Sequence, residues 1–291
     1  MEALRQLFWA SRPISWINTA YPFAATYLFV TQAFDATFVL GTLFFLIPYN
    51  LLMYGINDVF DYESDLRNPR KGGIEGALLA PKWHRLTLWS SVLACLPFVA
   101  YLIWVGNLAS NAWLLLVLFS VVAYSAKGLR FKERPFLDSL TSAAHFVGPM
   151  VFAAALAGAN LADPKLLALI AAFGLWGIAS HAFGAVQDVR ADREANIDSI
   201  ATKTGARFTT RFAFAAYLLA GLLLLAVGGN ASWVAIAAIP YLVVVGRFWN
   251  ITDETCESAN RGWKRFIWLN FFAGFVVTQF VIEAAIESGA V

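Results

Sequence analysis

The stretch from Gly55 to Lys71 carries an oxygen-bearing side chain at every fourth position: Asn57, Asp61 and Asp65. On a helix these three lie one turn apart on a single face. Two carboxylates at i and i+4 repel each other, so the spacing costs helix stability unless a cation sits against it. Oxygen-only ligands suit a hard ion such as Mg²⁺, which usually takes one or two carboxylates and shares the rest of its shell with water and phosphate. Arg67, Arg70 and Lys71 follow at once and would suit that phosphate. Taken alone, an acidic helix end is more often a solvated cap than a metal site. The segment from Gly184 to Asn196, however, repeats the device with Asp188, Asp192 and Asn196 at the same spacing, again at the end of an apolar run. The repetition argues for a ligand set.

Other polar groups are weighed against these two stripes. The loop from Tyr124 to Pro135 holds Lys127, Arg130, Lys132 and Arg134. Arg130 and Lys132 are the phosphate contacts expected from it, whereas Arg134 can pair with Glu133. Arg190, Arg193, Lys203 and Arg207 surround Asp198 and Thr202, the alternation of a solvated face; Asp198 is carried as a substrate-side candidate. The loop from Trp249 to Arg265 has no stripe and is read as structural. His145 and His181 fall inside apolar segments, as neutral imidazoles bonded to a neighbouring helix or as proton-handling groups. Cys95 and Cys256 form no metal or redox spacing.

The elements that must position these residues are membrane helices. Of the 291 residues, 59% are hydrophobic and 14% charged, and the mean hydropathy is +0.63, which places the chain among polytopic membrane proteins. A net charge of +2 without a basic tail excludes a nucleic-acid binder. Crossing about 30 Å of hydrocarbon takes roughly 20 mostly apolar residues. Nine such segments are expected, at 14–32, 37–57, 87–105, 111–126, 138–158, 165–187, 211–229, 232–250 and 266–286. The expected fold is all-α, a bundle of nine transmembrane helices forming a single domain over 1–291. The N-terminus lacks a cleavage site and reads as a retained first span.

All but Lys165 of the 21 Lys and Arg residues fall on the side of the N-terminus and the long loops, so the positive-inside rule makes that side cytoplasmic. Both acidic stripes then end helices on the cytoplasmic face, the second and the sixth, with four spans between them, as in a duplicated unit. Helix C-termini carry the negative end of the macrodipole, which again suits a cation.

Two sets of oxygen ligands, a ring of Arg and Lys, and an apolar bundle beneath would together hold a diphosphate through Mg²⁺ while its isoprenoid tail lies in the bilayer. The run Asn57-Asp58-x-x-Asp61-x-x-x-Asp65 with Asp188-x-x-x-Asp192 resembles the paired aspartate motifs of the UbiA superfamily of intramembrane prenyltransferases. Within it, the strings from Ser11 to Trp16, Tyr54 to Asp65, Arg67 to Gly73, Leu129 to Phe136 and Arg247 to Asp253 most resemble the bacterial lycopene elongases of C50 carotenoid synthesis. The resemblance implies dimethylallyl diphosphate as donor and the terminal double bond of lycopene as acceptor, in the cell membrane among its lipids. It implies that Asn57, Asp61 and Asp65 hold one Mg²⁺, that Asp188 and Asp192 hold another, and that Arg67, Lys71, Arg130 and Lys132 grip the diphosphate. Asn196 rests on periodicity alone. Rival readings are a prenyltransferase acting on a quinone precursor, a porphyrin or a glycerophosphate lipid, or a secondary transporter. Transporters place ionisable groups near the midplane, and here the charges lie at the cytoplasmic ends.

Overall fold

A computed structural model describes residues 1–66 and 78–287; among them every regular element is a helix. Among the described residues, seven helical stretches are long and apolar enough to cross a membrane: Ala36–Phe60, Pro81–Val105, Leu108–Ser125, Leu137–Leu156, Pro164–Val186, Ala206–Val227 and Phe266–Glu287. The other two expected spans are shorter. Trp16–Thr31 has 16 residues, and the apolar helix Ala231–Gly246 begins in tighter 3₁₀ geometry over Gly229–Ala237. At 1.5 Å per residue, 16 residues reach about 24 Å, less than the hydrocarbon thickness. Length and composition therefore support seven spans outright, and the count of nine depends on these two.

The chain divides into two compact units, Met1–Arg130 with Gly148–Ala159, and Phe131–Val147 with Asn160–Val291. The first holds helices α1 (Glu2–Ala10), α2 (Trp16–Thr31), α3 (Ala36–Leu46), α4 (Pro48–Phe60), α5 (Tyr62–Asp65), α6 (His84–Val105) and α7 (Leu108–Ser125). Its core is aromatic, built on the buried rings of Phe23, Phe44, Phe45, Tyr49 and Phe152. The step from α3 to α4 falls at Pro48, which has no N–H to give and cannot continue the ladder. Asn50, fully buried, repairs it by donating to the Phe45 carbonyl at 2.8 Å, the Leu46 carbonyl at 3.1 Å and Thr19 Oγ1 at 2.7 Å. Thr19 in turn donates to the Phe45 carbonyl at 2.7 Å. Gly55 then lets α6 close on α4, since a Cβ there would stand 2.9 Å from Thr87 Cγ2.

The helix α8 (Leu137–Leu156) gives its first half to the second unit and its second half to the first. The second unit continues with α9 (Pro164–Val186), α10 (Val189–Glu194), α11 (Ile200–Thr204), α12 (Ala206–Val227), α13 (Ala238–Gly246), α14 (Asn260–Trp263) and α15 (Phe266–Glu287). Its central pairing is α9 with α12, where Ala179, Ala182, Ala213 and Ala216 are buried. Small residues let helix backbones approach closely where apolar burial gives no net drive. Ser180 and Tyr217 share a hydrogen bond of 2.7 Å across the same pair. Asp163 opens α9 by accepting from the Lys165 and Leu166 N–H groups, with Pro164 at the first helical position.

The break at Pro48 yields a test. Asn50→Ala removes the donor that serves the Phe45 and Leu46 carbonyls and should cost on the order of 1–3 kcal/mol, read as a lower unfolding midpoint of the purified protein in detergent. An unchanged midpoint would mean that packing alone holds the step.

Candidate active site

The first acidic stripe survives a change of helix. α4 ends at Phe60, Asp61 occupies φ −102°, ψ 0°, and α5 carries on to Asp65. The four-residue ladder nevertheless runs through: the Asp61 N–H donates to the Asn57 carbonyl at 2.9 Å and the Asp65 N–H to the Asp61 carbonyl at 2.8 Å. Asp61 and Asp65 are 8% and 7% exposed, and Asp58 is 1% exposed. Carboxylates at such depth are held by donors or cations. Ser125, at the end of α7, donates through Oγ to Asn57 Oδ1 at 3.0 Å. Arg130 Nη2 lies 3.6 Å from Asp61 Oδ1, with the Arg130 backbone in the left-handed region at φ 40°. Asp58 Oδ1 accepts from Arg12 Nη2 at 2.7 Å. Burial pushes the Arg12 pKa down, but Asp58 and Tyr54 outweigh it, and the pKa ends above its ordinary value.

The second stripe is built the same way. α9 ends at Val186, Asp188 sits at φ −99°, ψ −3°, and α10 follows. The Asp192 N–H donates to the Asp188 carbonyl at 2.8 Å, as Asp65 does to Asp61. In both stripes the first aspartate is thus the residue at which a long helix steps into a short one. Gln187 fixes the second step: its Nε2 donates to the Gly184 carbonyl at 2.9 Å, and its Oε1 accepts from Asn260 Nδ2 at 2.6 Å. Asp188 and Asp192 are half-buried.

Asn196 has a backbone reason for its place. It is exposed, with φ 55°; its N–H donates to the Arg193 carbonyl at 3.2 Å, and the Ile197 N–H donates to the Asp192 carbonyl at 2.8 Å. Those two bonds are the closing motif of a helix, where Asn is tolerated in left-handed geometry. Asp198 is exposed. Arg193 acts as a brace, with Nη1 on Asp253 Oδ2 at 2.6 Å and Nε and Nη2 on the Thr202 carbonyl at 3.2 and 3.0 Å. Asp253 Oδ1 accepts the Ala206 N–H at 2.7 Å and so caps α12. Lys132 is half-buried in a single turn, Phe131–Glu133. Arg67 and Lys71 lie outside the described residues.

The histidines sit in helix interiors. His145 is 3% exposed, and His181 Nδ1 shares a hydrogen bond of 3.0 Å with Ser139 Oγ, the arrangement of an imidazole tied to a neighbouring helix. The adjacent Asp138 is fully buried and accepts the Ser139 and Ile200 N–H groups, each at 2.7 Å.

Sequence alone passed over Arg12, Ser125, Gln187 and Asn260. Only Ser11-Arg12-Pro13 carried a signal, as part of a resembling string. Among the described residues no three His, Cys, Asp or Glu side chains converge as a cage. The donors present are oxygens at helix C-terminal ends, which fits an ion such as Mg²⁺, bound by one or two carboxylates with water and phosphate supplying the rest.

Apolar spanning helices with carboxylates gathered at their ends define an integral membrane protein. The profile of the UbiA prenyltransferase family matches residues 19–277, and the chain belongs to that family and is a prenyltransferase. It is 56% identical over 280 residues to the "C(50) beta-cyclic carotenoids biosynthesis protein LbtBC" of Dietzia sp., covering 96% of this chain; it spans 65% of that relative's length. It is 52% identical over 282 residues to a lycopene elongase/hydratase of Corynebacterium glutamicum, covering 97% of this chain and 98% of the relative. The fold matches a UbiA homolog from Archaeoglobus fulgidus solved bound to GPP and Mg²⁺, with TM-score 0.70 and 18% identity, over 94% of this chain and 99% of that one.

The brace around Asp253 has a signature in pH. Burial raises the Asp253 pKa, but the Ala206 N–H and Arg193 outweigh it and hold the group below the ordinary carboxylate range. Its stabilisation is complete above the unfolded pKa of about 3.9 and fades as pH falls through the lower folded value. Asp253→Asn should therefore flatten the acid limb of the unfolding midpoint below about pH 4; an acid limb identical to the parent's would show that the pair adds nothing.

Proposed function

We propose that this protein transfers a dimethylallyl group from dimethylallyl diphosphate to the terminal double bond of lycopene, with Mg²⁺, at the cytoplasmic face of the cell membrane. Two stepped helix ends carrying aspartates four residues apart support this reading, together with relatives named for lycopene elongation and C50 carotenoid synthesis. In this reading the chain acts as a single prenyltransferase domain over 1–291.

In this reading Asn57, Asp61 and Asp65 hold one Mg²⁺ and Asp188 and Asp192 hold the other. When bound, Mg²⁺ supplies neutralisation of the charge that grows on the departing pyrophosphate. Arg130 and Lys132, with Arg67 and Lys71, add hydrogen bonds to that leaving group that strengthen as its charge develops. The allylic C–O bond breaks, C1 of the dimethylallyl group bonds to the terminal alkene carbon of the acceptor, and a tertiary cation remains there. Loss of a proton or capture of water completes the reaction. The apolar helix interiors keep stray water from the allylic cation until the acceptor attacks.

Incubation of the membrane-embedded protein with Mg²⁺, lycopene and a set of allylic diphosphates, followed by mass spectrometry, tests this. Lycopene should gain five-carbon units from dimethylallyl diphosphate and none from longer donors. Asp61→Ala and Asp188→Ala should each lower product formation at least about 100-fold while the unfolding midpoint stays near the parent's. No addition to lycopene, with transfer to a quinone precursor, a porphyrin or a glycerophosphate lipid instead, would reject the acceptor assignment.

A further inference from the structure

Asp58 lies in the acidic run but off its stripe, because one residue on a helix is about 100° of rotation. It is the most buried carboxylate of the three in its neighbourhood, and its Oδ1 accepts from Arg12 Nη2 at 2.7 Å. The Arg12 guanidinium also covers the ring of Tyr54, with Cζ 4.3 Å from the centroid. Tyr54 and Asp58 are one turn apart on α4, so a single planar cation grips two successive turns of one helix face. Arg12 reaches them from the joint between α1 and α2, 46 residues earlier in the chain.

That joint is built to present the side chain. Arg12 has φ 49°, ψ 74°, a left-handed conformation that a residue with a Cβ adopts at a cost. On one side Ser11 Oγ donates to the Phe8 carbonyl at 2.6 Å; on the other Trp16 Nε1 donates to the Ser11 carbonyl at 3.0 Å. Ser11 is 2% exposed and Ala10 fully buried. Arg12 thus starts from a fixed backbone.

A pairing that locks the 54/58 face of α4 also sets where the neighbouring face points. Asn57 is one residue from Asp58, and Asp61 stands at the end of the same helix. We propose that Arg12 is a positioning residue for the first acidic stripe: by pairing with Asp58 and lying on Tyr54 it fixes the rotation of α4, aims Asn57 and Asp61 at the cation, and removes Asp58 from the ligand set. This rests on the reading that the stripe on α4 and α5 holds Mg²⁺. Removing Arg12 alone would strand a buried carboxylate and confound fold with function. The informative variant is Arg12→Met combined with Asp58→Leu, which removes both charges at similar volume.

The test is binding of Mn²⁺ in the presence of inorganic pyrophosphate, followed by electron paramagnetic resonance on the full chain in detergent, alongside thermal unfolding. The double variant should unfold within a few degrees of the parent yet bind Mn²⁺ about tenfold more weakly, the usual scale for a group that orients ligands. Arg12→Lys keeps the charge but loses the plane that covers Tyr54, and should fall between the two. If Asp61→Asn weakens Mn²⁺ binding while the double variant and Arg12→Lys both match the parent, the positioning role is overturned and the cation reading stands. Should the double variant not fold, Arg12→Lys decides alone, and parental affinity overturns the proposal. If Asp61→Asn itself binds like the parent, the cation reading on which the proposal rests is what fails.

Discussion

Carboxylates gathered at the end of an apolar helix set the terms for the rest of this protein. Asp58, Asp61 and Asp65 occupy eight consecutive positions and are each less than a tenth exposed, at the end of α4 where the helix dipole is already negative. Burying one such charge is costly and burying three compounds the cost. The surrounding structure answers with cations and donors from outside the helix. Arg12 takes Asp58, Arg130 approaches Asp61, and Ser125 binds the amide oxygen of Asn57. Under the proposed function, a divalent ion and its phosphate would add to that compensation.

The second unit meets the same constraint with different chemistry. Its stripe likewise carries two aspartates, both half-buried, without an acid in the place that Asp58 takes beside the first, and Gln187, bonded to Gly184 and Asn260, holds its step. The ion pair of Arg193 with Asp253 ties the following loop to the start of α12. The shared element is the backbone, with Asp61 and Asp188 at almost the same φ and ψ and each followed four residues on by an aspartate whose N–H returns to its carbonyl. A step at the first aspartate lets a short helix turn away while the four-residue register of ligands persists.

Much of this was legible in the chain because the signals are local. Long apolar runs announce spanning helices, and an i, i+4 pattern of acids reads the same whether the helix continues or steps, so the stripes were found but the steps were not. Asn196 shows the converse: its spacing extends the second stripe, yet an Asn just past a helix end serves left-handed closure as naturally as ligation. Trp16–Thr31 and Ala231–Gly246 read as full spans by hydropathy, but helix length depends on breaks and 3₁₀ turns that composition does not record. The Arg12–Asp58 pair links residues 46 apart, and no local pattern in the sequence could bring them together. Asn50 was hidden for a related reason, since a polar residue in an apolar run reveals its purpose only once the break at Pro48 is seen.

The central claim, carried by the proposed function, is that each acidic helix end takes part in binding a prenyl diphosphate with a divalent cation. Calorimetric titration of a non-cleavable dimethylallyl thiolodiphosphate into the purified protein, with Mg²⁺ and then with chelator, addresses it without turnover. The account predicts tight binding that requires Mg²⁺ and that is lost both in Asp65→Asn and in Asp192→Asn. Binding of equal strength in chelator, or binding that survives neutralisation of either stripe, would contradict it.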